Sequence, residues 1–160
     1  MSIAERSTTK MKVEVFQETQ KEKKEYEEWL EFSKMDFISA KYLYESVLNP
    51  KPLNIVCYHC QQAAEKAIKA LILYLDNYCG MPKVHDISFL LNQVKNAVIN
   101  EKVIEIPKGI IEAADFLSRY GISLRYPSEK WVDEVLTDKA LLYSEKILKW
   151  VETIIDIDFQ

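Results

Sequence analysis

The segment from Ile55 to Leu71, IVCYHCQQAAEKAIKAL, constrains the fold of this chain more than any other. On a helix of 3.6 residues per turn, its small apolar side chains fall on one face and its polar side chains on the other. Because small side chains let a neighbouring backbone approach closely, the segment predicts a central helix in a tight helical bundle. The apolar face consists of Cys57, Cys60, Ala63, Ala64, Ala67, Ile68 and Leu71.

The polar face of the same helix carries Gln61, Gln62, Glu65, Lys66 and Lys69. Glu65 and Lys69 have the i,i+4 spacing and the orientation that favour an ion pair on a helix, and Gln62 lies one turn before Lys66. Two interpretations of this ordered face remain open. It is either a solvated surface or the wall of a polar cleft that binds a ligand.

Length and composition indicate one soluble helical domain. A chain of 160 residues can bury a sizeable core, and only three glycines and five prolines leave few turn signals, which argues against a β-sandwich. No apolar run approaches the ~18 residues of a membrane span, and the start MSIAERSTTK lacks the apolar core of a signal peptide, so we expect a cytoplasmic protein without membrane contact. The net charge of −4 argues against broad nucleic-acid binding but leaves room for a local site.

Apolar spacing and helix-end residues predict four long helices and one short one. Residues 1–25 lack sustained periodicity and are predicted to form a mobile arm, and the bundle is predicted over residues 26–157. The first helix carries an inward stripe and ends at Asn49–Pro50, and the second runs from about Leu53 to Cys79. The inward stripe of the first helix is Leu30, Ser33, Phe37, Ala40, Tyr44 and Val47.

In the second half of the chain, the sequence signals for the ends of helices are less clear. Asp86 is a good N-cap for a short third helix, and Pro107 starts a fourth, whereas residues 96–106 are ambiguous. Thr137 or Asp138 is predicted to cap the last helix. The sum is an all-α fold, an antiparallel four-helix up-and-down bundle with one short extra helix. The inward residues are Ile87, Leu90, Leu91 and Val94, then Ile110, Ile111, Ala114, Phe116 and Leu117, and finally Ala140, Leu141, Ser144, Ile147, Leu148, Val151 and Ile154.

Three motifs in order resemble those of HEPN domains, small helical domains named for higher eukaryotes and prokaryotes and for nucleotide binding. QQAAEKAIKAL from Gln61 resembles the signature helix of the family. VHDISFLL from Val84 resembles its His-Asp-Leu motif, with Ile87 in place of Leu, and RYP from Arg125 resembles its late Arg-Tyr-Pro motif. The resemblance covers roughly residues 27–155 and implies an HEPN-like bundle.

The segment RYGISLRY, residues 119–126, contains two of the three arginines of the chain. Ribonucleases of the family carry an arginine, four to six intervening residues and a histidine, often with a tyrosine two residues later. Counted from Arg119, the histidine position falls on Leu124, Arg125 or Tyr126, so the residue needed for proton transfer is missing and no catalytic residue is identified. The arginines are either structural ion-pair partners or a phosphate site, which suits their planar guanidinium groups. The candidate ligand-binding residues are Arg119, Arg125, Tyr126, Glu65, Lys69 and His85.

Cys57 and Cys60 form a C-x-x-C, a spacing also found in zinc and redox sites. Both lie in the middle of a helix on its apolar face, away from the helix N-terminus that lowers the pKa of a redox thiol, while His59 points elsewhere. We therefore expect core cysteines, no metal and no cofactor. His85, beside the predicted cap Asp86, either bonds local backbone or has a role in a cleft.

The resemblance implies a nucleotide- or anion-binding module, with a minimal nucleotidyltransferase as its partner in a two-gene toxin–antitoxin system. In the family the polar cleft commonly lies at a dimer interface. A homodimer is also expected from surplus aromatic residues, namely Phe32, Tyr42, Phe116 and Tyr120. Two alternatives are an RNA-cleaving toxin that uses an unconventional residue and a structural adaptor without a small ligand.

Overall fold

The computed structural model describes residues 25–75, 82–99, 101–121 and 132–157, and most of them are helical. Helix α1 is described over residues 25–45, followed by α2 (Leu53–Leu75), α3 (Ile87–Val94), α4 (Lys108–Ser118) and α5 (Glu134–Ile157). The short strands β1 (Val98–Ile99) and β2 (Lys102–Val103) pair antiparallel between α3 and α4. The predicted all-α class is confirmed.

Helix α2 is the centre of the molecule, as its small apolar face predicts. Cys57, Cys60 and the four alanines of this helix are buried, and all but Ala70 belong to the hydrophobic core. The hydroxyl of Ser144 on α5 donates to the backbone carbonyl of Cys60 at 2.9 Å, and the Cys57 thiol lies 3.6 Å from the Thr137 hydroxyl. Side chains this small let the backbones of α2 and α5 approach closely.

Helix α1 lies antiparallel to both α2 and α5. Its buried Ser33 donates a hydrogen bond to the carbonyl of Ala63 on α2 at 2.7 Å. Toward α5, the hydroxyl of Tyr44 donates to Asp138 at 2.5 Å, and this hydrogen bond raises the pKa of Tyr44 to about 12. One predicted inward residue is wrong: Val47 is fully exposed, because α1 ends at residue 45 and the stripe ends with it.

The predicted start of α3 is confirmed. The carboxylate of Asp86 accepts a hydrogen bond from the backbone N–H of Phe89 at 2.9 Å, so Asp86 is the N-cap. All four predicted inward residues of α3 are buried. The ambiguous stretch of residues 96–106 contains the β-hairpin. Within this stretch, Asn96 and Glu101 have φ angles of 69° and 65°. Two residues in the left-handed region break any helical or strand periodicity, which explains why the sequence pattern was unclear.

Three predictions in the second half need correction. Ile111 is exposed on α4, unlike its predicted partners on that helix. Phe116 is buried against Tyr143 at 5.3 Å between ring centroids, so it does not add to a surface surplus. Helix α5 starts at Glu134 because Asp133 is its cap: the carboxylate of Asp133 accepts from the Leu136 N–H at 2.8 Å.

The predicted mobile arm lies almost wholly outside the described residues, as do the predicted end of the second helix and residues 122–131. Within the described ranges, no helix combines the length and the apolar character needed to cross a membrane.

Candidate functional site

The polar face of α2 is not a solvated surface. The exposed fraction is 0% for Gln61, 3% for Glu65 and 4% for Lys69. A buried carboxylate and a buried ammonium are stable only with partners, because leaving water costs each ion several kcal/mol. Of the two interpretations left open by the sequence, the solvated face is therefore wrong.

Glu65 is the centre of a hydrogen-bonded network on this face. Its Oε1 accepts from Lys69 Nζ at 2.8 Å and lies 3.0 Å from His85 Nδ1. Its Oε2 accepts from Gln61 Nε2 at 3.0 Å and from Gln62 Nε2 at 3.4 Å. Both oxygens of the carboxylate thus have partners, and among the described residues no buried side-chain nitrogen or oxygen lacks one.

Lys69 lies between two elements. Besides its bond to Glu65, its ammonium nitrogen is 5.5 Å from the centroid of the Trp29 ring on α1, a cation–π contact. Its charge is therefore compensated from two sides and buried. Lys69 is thus a buried part of the network.

His85 is the exposed member of the network. Its side chain is 55% exposed, whereas that of Glu65 is 4% exposed. The Gln61 side chain also donates to the backbone carbonyl of His85 at 3.2 Å, so α2 holds this residue at both its backbone and its ring. His85 had two interpretations, and its ring contacts a carboxylate 20 residues away rather than local backbone.

The contact through Nδ1 determines the chemistry open to His85. When Nδ1–H donates to Glu65, Nε2 is the ring nitrogen that a ligand can reach. A neutral ring can accept a proton there, and a protonated ring can donate a hydrogen bond to a phosphate oxygen. A buried carboxylate that fixes an exposed imidazole is an arrangement shared by proton-transfer and anion-binding sites.

Arg119 lies at the C-terminal end of α4 and is exposed. The chain then passes against the network: a Cβ atom built on Gly121 would lie 3.8 Å from Gln61 Nε2. The turn formed by residues 119–121 therefore borders Gln61, the network residue that also bonds the backbone carbonyl of His85. Arg125 and Tyr126, as well as Leu124, lie outside the described residues.

A second polar cluster, which the sequence did not predict, lies on the side of α2 that faces α1. Asp36 of α1 lies 2.9 Å from His59 Nδ1 through Oδ1, and its Oδ2 bonds the ammonium of Lys66. All three side chains are at least two-thirds buried. The only sequence signal was the i,i+7 spacing of His59 and Lys66, which places both on one side of α2.

Cys57 and Cys60 are core residues, as predicted from their place on the apolar face. Both are free thiols and fully buried. Burial raises the pKa of each thiol, because an apolar environment disfavours the thiolate. Within the described ranges no group of three or more metal-ligand side chains converges.

Comparison with known proteins agrees with this architecture. The HEPN domain family matches residues 26–154. TT1696 from Thermus thermophilus is 26% identical over 80% of this chain and 96% of that chain, with a TM-score of 0.62. ST0689, an archaeal HEPN homologue, is 23% identical over 81% and 97%, with a TM-score of 0.59, a likeness of fold. None of the curated proteins matches the chain. Because the family match spans most of its length, the chain belongs to the HEPN domain family.

Proposed function

We propose that this chain is a nucleotide- or anion-binding module whose ligand site is the surface formed by His85 and the turn at Arg119. The observation that carries this proposal is the exposed ring of His85, held at 3.0 Å by the buried carboxylate of Glu65. A module of this kind needs hydrogen-bond donors at the surface that are held by a rigid support. The network on α2 supplies that support.

Charge and geometry favour a phosphate-bearing ligand. A guanidinium group and an imidazole are both good hydrogen-bond donors to phosphate, and the planar guanidinium can bond two oxygens at once. Because Gln61 and Glu65 hold His85 in place before a ligand arrives, little conformational entropy is lost on binding. Arg125 and Tyr126 are proposed to complete the site.

We also propose binding partners and a cellular location for this chain. By family resemblance, the chain would act as a homodimer in the cytoplasm, with a minimal nucleotidyltransferase in a two-gene toxin–antitoxin system. Support for self-association comes from the outer face of α1, where Met35, Ile38 and Tyr42 are 52%, 65% and 76% exposed. Apolar side chains at this spacing form one continuous stripe on a helix, a feature typical of interaction surfaces.

Calorimetric titration with nucleoside monophosphates tests the ligand site. Arg119→Ala should weaken binding by about 1.5 to 3 kcal/mol, the range of a charge-assisted hydrogen bond. Lys108→Ala is the matched control, since Lys108 is a 91% exposed cation at the other end of α4. Unchanged binding in Arg119→Ala, together with a large loss of stability, would make the arginine structural.

RNA cleavage is a second candidate function, favoured by the Glu65–His85 pair. An imidazole fixed by a carboxylate can remove the proton of a 2′-hydroxyl as a general base. One such residue without an acid partner is a weak catalyst, so we expect no cleavage above background by the unaltered protein. Robust cleavage that His85→Gln abolishes would establish the toxin instead, and binding of no nucleotide or RNA would favour the adaptor.

A further inference from the structure

A small groove lies on the side of α2 that faces α1, next to the Glu65 network. Its volume is about 250 Å³, and it is lined by Glu28, Trp29 and Phe32 of α1 and by Lys66 of α2. The groove and the network share a boundary, because Lys69 bonds Glu65 on one side and contacts the Trp29 ring on the other. The groove therefore lies beside the buried part of the network.

The walls of the groove combine aromatic surface with one exposed carboxylate. Phe32 is 58% exposed, and Trp29 is half-buried beside it. Lys66 adds little net charge, because the carboxylate of Asp36 bonds it from behind. Glu28 is exposed at the rim. The groove thus presents aromatic rings together with a carboxylate that accepts hydrogen bonds.

Building on the proposed function, we infer that this groove binds the base of a nucleotide, and that the base is a purine carrying an amino group. The exposed Phe32 ring supplies a surface on which a base can stack. Stacking on an aromatic side chain is a main source of affinity for bases. The carboxylate of Glu28 is placed to accept hydrogen bonds from the N–H groups on the edge of the base, and the phosphate then lies toward His85 and Arg119.

Size and charge favour a base over other occupants. Sites that enclose a whole drug-sized ligand measure about 300 to 1,000 Å³, so a groove of about 250 Å³ suits a single ring system. Because Asp36 bonds Lys66, Glu28 is a charged group that a ligand meets in this groove, and its carboxylate accepts N–H donors such as those on the edge of a purine.

Calorimetric titration of the full chain with guanosine monophosphate and with ribose 5-phosphate distinguishes binding of the base from binding of the phosphate. The unaltered protein should bind the nucleotide about tenfold or more tightly than the sugar phosphate, because only the nucleotide can stack. Phe32→Ala should remove that difference and leave ribose 5-phosphate binding unchanged. Phe89→Ala is the matched control, since Phe89 is a 50% exposed phenylalanine on α3.

A second variant tests the edge of the base. Inosine monophosphate has the same ring system as guanosine monophosphate but lacks the amino group. Glu28→Gln should reduce the preference for guanosine over inosine monophosphate, whereas Glu31→Gln, at another exposed glutamate of α1, should retain it. Light scattering on Phe32→Ala shows whether the variant keeps the oligomeric state of the unaltered protein.

The outcomes separate this inference from the function on which it rests. Nucleotide binding that neither Phe32→Ala nor Glu28→Gln alters would overturn the groove as the base site while leaving the anion site in place. Binding of neither the nucleotide nor ribose 5-phosphate by the unaltered protein would overturn both. Equal loss of both ligands in Phe32→Ala would show damage to the anion site rather than loss of stacking.

Discussion

At the scale of single residues, Cys57 and Cys60 lie where α2 packs against α5. Burial keeps both thiols protonated, and the hydroxyls of Thr137 and Ser144 approach from α5. Their spacing on a helix invites a metal or redox interpretation, yet their neighbours are those of packed core residues. The physical role of these cysteines is to fill a narrow interface with small, polarisable side chains.

Cys57→Ala and Cys60→Ala should each lower the free energy of unfolding by about 1 kcal/mol, because each removes one buried sulfur atom. Chemical denaturation followed by circular dichroism measures the loss. Thr153→Ala, at an exposed position on α5, should stay within about 0.5 kcal/mol of the unaltered protein. Nucleotide binding should not change in either cysteine variant. Stoichiometric zinc that leaves with loss of helicity would contradict the core assignment.

The contacts of some residues could be predicted from the sequence, and those of others could not. Asp86 was predictable as a cap because capping depends on a residue and its next three neighbours. The contact between His85 and Glu65 was not, because it depends on the path of the chain that connects α2 to α3. The burial of Gln61 was likewise hidden, since an amide has the same place in a helical pattern whether water or a partner covers it.

At the scale of elements, the polar face of α2 shows how a charged stripe can belong to the interior. Glu65 and Lys69 have the i,i+4 spacing of an ordinary surface pair, but their side chains are only 4% and 5% exposed. The same spacing occurs on α5 between Glu145 and Lys149, at 3.1 Å and with 40% and 70% exposure. The two pairs have the same sequence spacing and differ in how far their side chains are exposed to solvent.

Lys69→Met should therefore lower the free energy of unfolding by about 3 to 5 kcal/mol, because it leaves the buried charge of Glu65 without its main partner. The matched change on α5, Lys149→Met, should cost under about 1 kcal/mol, since exposed pairs contribute little. Urea denaturation of both variants gives the comparison. Combining Lys69→Met with Glu65→Gln should recover part of the loss, and equal small effects at both positions would show that the network is not a buried ion pair.

Helix positions followed well from the sequence where apolar spacing was regular, as in α2, α3 and the inner face of α5. The ends were less predictable. The cap of α5 was placed too far along the chain because Thr137 resembles a cap, whereas its hydroxyl donates to the carbonyl of Asp133 inside the first turn. The β-hairpin depended on backbone conformations that no periodicity reports.

At the scale of the whole molecule, α1 closes the bundle over α2 and α5 while exposing a second apolar stripe. The expected surplus of exposed aromatic residues on the fourth helix is wrong for Phe116, which the bundle buries. The exposed apolar surface that supports self-association therefore lies on α1. Burying such a stripe against its own copy around a twofold axis is the commonest solution for a soluble protein.

Light scattering at micromolar concentration should give about twice the chain mass of 18.7 kDa. Tyr42→Glu should shift the protein toward the monomer, because it places a charge at the most exposed residue of the α1 stripe. Val135→Glu is the control, since Val135 is an equally exposed apolar residue on α5, at 75% against 76% for Tyr42. A monomer at every accessible concentration would rule out the dimer.

The central position of α2 also sets the order in which parts of the molecule open. Most residues of α2 are buried, so we expect the backbone amides of this helix to exchange their hydrogens with solvent more slowly than those elsewhere. His85 stands just before α3, in backbone that is exposed at both His85 and Asp86. Amide exchange should therefore be slowest along α2 and faster in the exposed backbone just before α3.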